Sequence, residues 1–500
     1  MLLTQPTCSF QIPPEAYKSK VPNTCTTTTS STPPLRPLSQ LSDLPSLTFK
    51  AQRKNGRLRP QPRVKFRNNL LTAAGCIEIA NAGDFAANVF NMRPIPTYAR
   101  VLMAIGGTVA LGMVYFIIED ALLSWENIQG LRAERKFLLL EKQKQEKQKE
   151  ATVGKALQCL LHVNYRDLGA EVIDRFGMDV LLGLGALMVG AGTYMAIGGE
   201  DPVIFEASNL LTGYIGNSPI AFYGLANMGW ALYVWSRAKR HGVAVKAALG
   251  ENLDARVKRR LKKRTRRVQL HGLLNGVTGA IAGAASLVTA THWWAYVILG
   301  PCILVSVYCN RLWRHHVGYD RPYFLREIEF TESEIVEALK EVDEILQRVG
   351  RQHHRRWFAS RDVESGIDAV TVLVADYDGS LGCLLEFITY MNLFEDFCRR
   401  LVGEEKLISA LYQDNGVVFE AKDLLGDDDH ADRLLALARD TVSKDARKYL
   451  QYREKWLLEI LGCYMALAPV VPRRGRKETD SDNQSIISEI RNEAWNVDKI

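Results

Sequence analysis

Long uncharged apolar runs constrain what this chain can fold into more than any other feature. Five such runs lie between Val101 and Cys309, and each is close to the length that crosses about 30 Å of hydrocarbon. Soluble helices carry charge on one face, whereas four of these five segments contain no Asp, Glu, Lys or Arg, and the third, which lies within 203–235, has only Glu206. The sequence therefore predicts an all-α, multi-pass membrane bundle with about five spans, at 101–118, 180–198, 213–235, 273–290 and 293–309.

Small residues at helical spacing support a packed bundle. Gly272 and Gly276 are four residues apart at the fourth run, and so are Gly279 and Gly283. In lipid, helices associate by close backbone approach, so these pairs predict a tight contact between two helices.

The rest of the chain divides by composition. Residues 1–95 are basic and rich in Ser, Thr and Pro, and such a segment buries too little apolar surface to offset its chain entropy. It is predicted to be a disordered tail or a transit peptide. A transmembrane region is predicted at 96–320, and it includes a juxtamembrane helix at 121–150 and a basic loop at 237–269. A soluble helical bundle is predicted at 321–472, and a second disordered tail at 473–500.

Within the C-terminal region the apolar residues follow a helical period. Thr331 and Glu334 form a capping-box pattern that predicts the start of a helix, and Gly350 predicts its end. A second apolar stripe, from Ile367 to Leu401, predicts one long helix.

Charge asymmetry predicts the orientation. The stretch from Arg237 to Gln269 has thirteen Lys or Arg against two acids, so by the positive-inside rule it faces the cytoplasm or the mitochondrial matrix. The fifth run exits on the same side, which places the C-terminal region inside. Five spans then place the N-terminus outside although its tail is basic, unless the tail is cleaved or the third run is re-entrant. The predicted location is an organelle membrane, either the endoplasmic reticulum or, with a transit peptide, the mitochondrial inner membrane.

The stretch "AVTVLVADYDGSLG", from Ala369 to Gly382, contains an Asp-x-Asp-Gly-Ser sequence after an apolar run. It resembles the first motif of haloacid dehalogenase-like phosphatases, which implies Asp376 as nucleophile and Asp378 as general acid. Such an enzyme needs a parallel α/β sheet and a late acidic pair for Mg²⁺, and the helical stripe runs through the motif instead. A phosphatase is therefore the least favoured function.

Polar residues interrupt the third apolar segment, 203–235. Glu206, Asn209, Asn217 and Asn227 share it with helix-breaking Gly and Pro, and polar groups inside a membrane face protein or water. Two interpretations stay open: a discontinuous helix of a small-solute or ion transporter, or helix packing.

The basic stretch between the third and fourth spans is the other candidate site. Beside membrane spans it is predicted to contact anionic lipid head groups or to act only as a topology determinant, and no nucleic-acid partner is predicted. The candidate residues are Arg256, Lys258, Arg259, Arg260, Lys262, Lys263, Arg264, Arg266 and Arg267.

No cofactor or catalytic set is predicted. The nine cysteines are scattered without a Cys-x-x-Cys pair, which is typical of neither a disulfide framework nor a zinc site. The favoured function is a non-enzymatic membrane scaffold or adaptor, with the lipid bilayer as one partner and a protein bound through 321–472 as another.

Overall fold

Helices form almost the whole of the described fold, in a computed structural model of this chain. The chain divides into two units, Met1–Asp43 and Leu44–Ile500, and every described residue belongs to the second. The structure describes residues 46–51, 58–61, 65–90, 94–148, 151–249, 254–289, 291–323, 330–358, 381–404, 416–420, 424 and 430–467. The prediction of an all-α protein is confirmed.

Twelve α-helices are described, and three π-helical segments and one 3₁₀ helix accompany them. The α-helices α1 to α12 are Phe85–Val89, Thr97–Gln148, Ala151–Gly169, Met178–Ala196, Pro202–Asn209, Ser218–Leu249, Ala255–Val288, Ala295–Leu312, Glu332–Phe358, Leu381–Tyr390, Phe394–Val402 and Ala431–Ala466. The π segments Ala170–Gly177, Leu210–Ile215 and Trp313–Val317 extend α3, α5 and α8, and the 3₁₀ helix is Ala73–Ala82.

Three helices are long and apolar enough to cross a membrane. They are Thr97–Lys147, Ala255–Val288 and Ala295–Val317, which carry the first, fourth and fifth predicted runs. This finding supports membrane association. The second and third predicted runs fall on α4 and on the π segment with α6.

The N-terminal prediction is wrong in part, because elements form well inside residues 1–95. Five short strands occur in the described residues, β1 to β5, at Ser46–Ala51, Leu58–Gln61, Lys65–Phe66, Arg321–Pro322 and Gly416–Glu420. β1 pairs antiparallel with β2 and β5, and β3 pairs antiparallel with β4. The 3₁₀ helix and α1 follow β3. Composition missed them because some of their partners, such as β5 for β1 and β4 for β3, lie hundreds of residues away.

Close helix contacts build the apolar bundle, as the glycine spacing predicted. A Cβ atom on Gly224 of α6 would lie 2.4 Å from the carbonyl oxygen of Gly279 on α7, so only glycine permits this approach. Next to it, the Asn275 side chain donates to Oδ1 of Asn227 at 3.0 Å, and Asn227 donates to the Asn275 carbonyl oxygen at 3.1 Å. α6 and α7 are thus joined along one seam.

The C-terminal helices pack on the bundle's extensions instead of forming a separate core. One apolar cluster joins Leu138 of α2, Leu157 of α3 and Leu261 of α7 to Leu339 of α9 and Leu461 of α12. All of these side chains are less than a tenth exposed. The described C-terminal helices α9 to α12 therefore share their core with the ends of α2, α3 and α7.

Two helix boundaries in this region differ from the predictions. The capping box is present, since the Thr331 amide donates to the Glu334 carboxylate at 2.7 Å, but α9 continues past Gly350 to Phe358. The long stripe is broken by a turn, in which Asn392 has a φ of 51°. α10 ends at Tyr390 for this reason and α11 starts at Phe394.

Candidate functional site

The predicted basic loop 237–269 is mostly helical, which corrects the sequence interpretation. α6 extends to Leu249 and α7 begins at Ala255, where the side chain of Asp254 accepts from the Arg256 amide at 2.7 Å. The positive charges therefore lie on two antiparallel helix ends, which we call the basic hairpin. A helix presents its residues on separate faces, so the nine candidate lipid contacts have different surroundings.

One face of the hairpin is neutralised by the C-terminal helix α12. Glu459 lies between the two helix ends, with its carboxylate 3.3 Å from Nη2 of Arg237 on α6 and 3.3 Å from Nη2 of Arg264 on α7. One turn away, Arg260 donates to the Glu454 carboxylate at 2.6 Å and pairs with Asp343 of α9. Arg264 is buried and Arg260 half-buried, so these two candidates bind protein carboxylates.

The electrostatics of α12 follow from this arrangement. Burial by itself raises the pKa of the Glu459 carboxyl, but the charges of Arg166, Arg237 and Arg264 outweigh burial and hold this pKa well below its usual range. Burial, with repulsion from Arg264 and Arg267, lowers the pKa of the Lys455 amine to about 7. The surrounding arginines thus favour a negative charge at Glu459 and disfavour a positive charge at Lys455.

Another face of the hairpin carries five further basic side chains of α7. Lys262, Lys263 and Arg266 are exposed, as is Arg259, while Arg267 is half-exposed. Together with Leu270 they line a shallow open groove. None of these five basic side chains makes an ion pair within the described residues. We call them the basic face.

The last two candidates lie at the start of α7. Arg256 is exposed and lies 3.6 Å from a carboxylate oxygen of Asp343, and Lys258 is exposed too. The sequence therefore located the basic segment but could not separate its two faces, and lipid contact stays a prediction.

A second group of buried charges, which sequence reasoning missed, joins the loop after α8 to α2 and α3. Arg321 donates to both carboxylate oxygens of Glu134, at 2.6 and 2.8 Å, and its Nε donates to Asp167 at 2.8 Å. Arg166 donates to Asp167 at 3.0 Å, and Asn164 donates to Glu134 at 2.7 Å. Sequence spacing carries no signal for this group, because Arg321 lies 154 residues after Asp167 and 187 residues after Glu134.

Two of the four candidate transport residues, Asn217 and Asn227, make separate packing contacts. Glu206 is exposed on α5, and Asn209 is half-buried. Asn217 donates to the carbonyl oxygens of Thr212 at 3.0 Å and of the next residue, which caps the preceding π segment. Asn227 pairs with α7 as described above. Contacts of the two buried residues, Asn217 and Asn227, are of the kind that helix packing requires.

The described residues form no metal site, and they do not include the phosphatase-like motif. No group of three His, Cys, Asp or Glu side chains there has the arrangement that a metal ion needs. The Asp376–Ser380 motif lies outside the described residues, which resume at Leu381.

Comparisons of this chain with protein-family models, with curated proteins and with solved structures find no match.

Proposed function

We propose that this chain is a multi-pass membrane protein that serves as a non-enzymatic scaffold, holding a helical region against the inner face of the membrane. In this proposal α2, α4, α6, α7 and α8 are the five spans. Large apolar side chains are exposed along all five, as lipid contact requires; examples are Ile105, Leu187, Leu225, Val277 and Leu304.

A sixth crossing, by the 3₁₀ helix, is part of the proposal. Its inward face repeats every three residues, at Ala74, Ile77, Ala80 and Gly83, which is the period of a 3₁₀ helix. A Cβ atom on Gly106 of α2 would lie 2.1 Å from the carbonyl oxygen of Gly83, so the segment packs directly on that span. This tight contact supports a crossing buried among the spans.

The ends of this segment lie at opposite ends of the bundle. The Leu71 amide donates to Asp120 of α2 at 3.0 Å, whereas Phe90 stacks edge-on against Tyr98 of α2 with ring centroids 5.3 Å apart. The 22 residues of α2 between Tyr98 and Asp120 rise about 33 Å at 1.5 Å per residue, close to the hydrocarbon thickness. Residues 71–90 therefore cover the distance of one crossing.

Six crossings remove the conflict between topology and charge. Residues 46–67 contain eight Lys or Arg and no acid, and with six crossings they lie on the same side as the basic hairpin. Two contacts support this placement: β1 pairs with β5 of the C-terminal region, and Arg67 donates to Glu395 of α11 at 2.8 Å.

Topology is tested by the accessibility of inserted tags in intact and permeabilised organelles. Tags inserted after Lys54 and after Gly250 are expected to become accessible together, and a tag after Glu200 to report the opposite side. A Lys54 tag on the side of Glu200 would show that residues 71–90 do not cross.

The scaffold role is supported by the rigid attachment of α12. A single helix carries Glu459, between the arginines of α6 and α7, and Leu461 in the shared apolar core. The C-terminal helices are thereby fixed on the spans, and α9 exposes Glu337, Lys340 and Glu344 on its outward face. Such an exposed face on a fixed support is what an adaptor presents to a partner protein.

Site-specific photocrosslinking in the full chain tests this role. Crosslinkers at Glu337 and Glu344 are expected to capture one discrete protein, and a crosslinker at Val277, on the lipid-facing side, is the matched control. Absence of a discrete adduct at both α9 positions would count against a scaffold. Loss of solute flux in Glu206→Gln and Asn217→Ala would favour a transporter instead.

A further inference from the structure

We propose that the basic face of α7 binds the head groups of anionic phospholipids on the inner leaflet. The inference rests on the proposed membrane insertion and assigns a ligand to one helix face. Its residues, defined above, are Arg259, Lys262, Lys263, Arg266 and Arg267.

The basic face continues directly into a lipid-exposed apolar face of the same helix. Leu270, Leu273, Val277 and Ile281 follow Arg266 at steps of four, three, four and four residues, so they share its side of the helix. Each of these apolar side chains is more than 40% exposed. Along α7 an apolar surface is thus followed by a positively charged one. An anionic phospholipid has the matching arrangement, with acyl chains followed by a negatively charged head group.

Depth along the helix matches the head-group layer. Arg266 lies four residues before Leu270, about 6 Å along the axis, and Lys262 lies about 12 Å before it. The head-group layer adds about 5 to 7 Å to each side of the hydrocarbon. Arg266 and Arg267 therefore lie within this layer, and Lys262 and Lys263 reach it with their flexible side chains.

No carboxylate of the described residues competes with an external anion for the basic face. The acids that pack on the hairpin, Asp343, Glu454 and Glu459, contact Arg260 and Arg264 on the side toward α9 and α12. No described carboxylate forms an ion pair with the basic face. Protein acids thus stabilise one side of the hairpin, and an external anion complements the other.

Lipid binding by the full-length protein in neutral-lipid nanodiscs is the test. The probes are dioctanoyl phosphatidylserine, dioctanoyl phosphatidylcholine and inorganic phosphate. Phosphatidylserine is expected to bind more tightly than phosphatidylcholine, with an affinity that falls as salt rises. Inorganic phosphate is expected to compete only weakly, because it cannot contact the apolar face.

The variant replaces Lys262, Lys263, Arg266 and Arg267 by Gln. Its affinity for phosphatidylserine is expected to fall at least ten-fold, since each Lys or Arg near the surface contributes about five-fold to binding of anionic lipid. The matched control removes the same charge from exposed positions on α2 and α12, with Lys136, Arg439, Arg447 and Lys448 replaced by Gln. The control is expected to bind like the parent.

Three outcomes would overturn the inference. In the first, the variant and the control bind phosphatidylserine with equal affinity. In the second, the parent binds phosphatidylserine and phosphatidylcholine equally. In the third, inorganic phosphate at the concentration of the lipid displaces phosphatidylserine completely. Lys262→Arg with Lys263→Arg keeps the charge and is expected to keep binding, which separates charge from folding defects. If the parent enters nanodiscs without a preference for anionic lipid, the membrane proposal stands and this inference fails.

Discussion

Glu134 of α2 and Arg321 of β4 form a bidentate ion pair although 187 residues separate them, with nitrogen–oxygen distances of 2.6 and 2.8 Å. Both side chains are less than a tenth exposed. Two parallel hydrogen bonds between a guanidinium and a carboxylate fix distance and orientation together. The pair therefore joins the chain after α8 to the C-terminal half of α2.

Removal of the guanidinium is expected to destabilise the protein strongly. Arg321→Met leaves the carboxylates of Glu134 and Asp167 buried without their main partner, which costs about 3 to 5 kcal/mol in the free energy of unfolding. Thermal unfolding in mild detergent measures the effect. The control is Arg433→Met, because Arg433 and Glu404 are exposed and 3.8 Å apart, and such pairs contribute about 0 to 1 kcal/mol. Equal shifts in the two variants would contradict the prediction.

Glu459→Gln is expected to lower stability at neutral pH, because Arg237 and Arg264 then face an uncharged amide. The arginines depress the folded-state pKa of Glu459, so its stabilisation is fully present above its unfolded pKa of about 4.3 and is lost as pH falls through the folded value. The difference in unfolding free energy between parent and variant is therefore constant from about pH 8 to 5 and shrinks in stronger acid. Denaturation measured across this range checks the sign, and a difference that grows on acidification would refute it.

Two glycines on α6 are expected to respond oppositely to alanine. Gly224→Ala places a Cβ atom 2.4 Å from the Gly279 carbonyl oxygen, which forces α6 and α7 apart and costs about 1 to 3 kcal/mol. Gly229→Ala meets no atom within 4 Å and gains helix propensity, so it is neutral or stabilising. Melting temperatures of the two purified variants give the comparison. A Gly224 variant as stable as the Gly229 variant would show that the seam is loose.

The Asp-x-Asp motif is expected to carry no catalysis. The purified chain with Mg²⁺ is predicted to hydrolyse no phosphoester, and Asp376→Asn to fold like the parent, with a change of about a few tenths of a kcal/mol. Leu384→Asp is the structural contrast, because Leu384 is 1% exposed in the core and an unpaired carboxylate there costs several kcal/mol. Helical circular dichroism reports this loss. Metal-dependent hydrolysis that disappears in Asp376→Asn would reverse the interpretation of the motif.

Local patterns in the sequence were enough for the helical class and the packing seam. The runs at 101–118, 273–290 and 293–309 lie on the three helices that are apolar and long enough to span a membrane. Gly279 contacts α6 as its spacing indicated. These features are readable because they depend on composition and on a repeat along one helix.

The candidate site was predictable only as a segment. Charge counting located the basic stretch, but Arg264 binds Glu459 while Lys263, its neighbour in sequence, is exposed. Which basic residue is neutralised depends on where α12 docks, 195 residues away in the chain. No spacing within the stretch contains that information.

The sequence by itself determined that this chain has apolar helices of membrane length and a basic segment beside them, because both are properties of consecutive residues. Only the tertiary structure decided which elements residues 65–90 form and where they pack. In this segment Asp84 interrupts the apolar pattern, and the inward face repeats every three residues. Asp84 accepts from Tyr296 at 2.7 Å, and this partner on α8 is 212 residues distant. A buried polar group requires such a partner, and partners distant in sequence are set by folding alone.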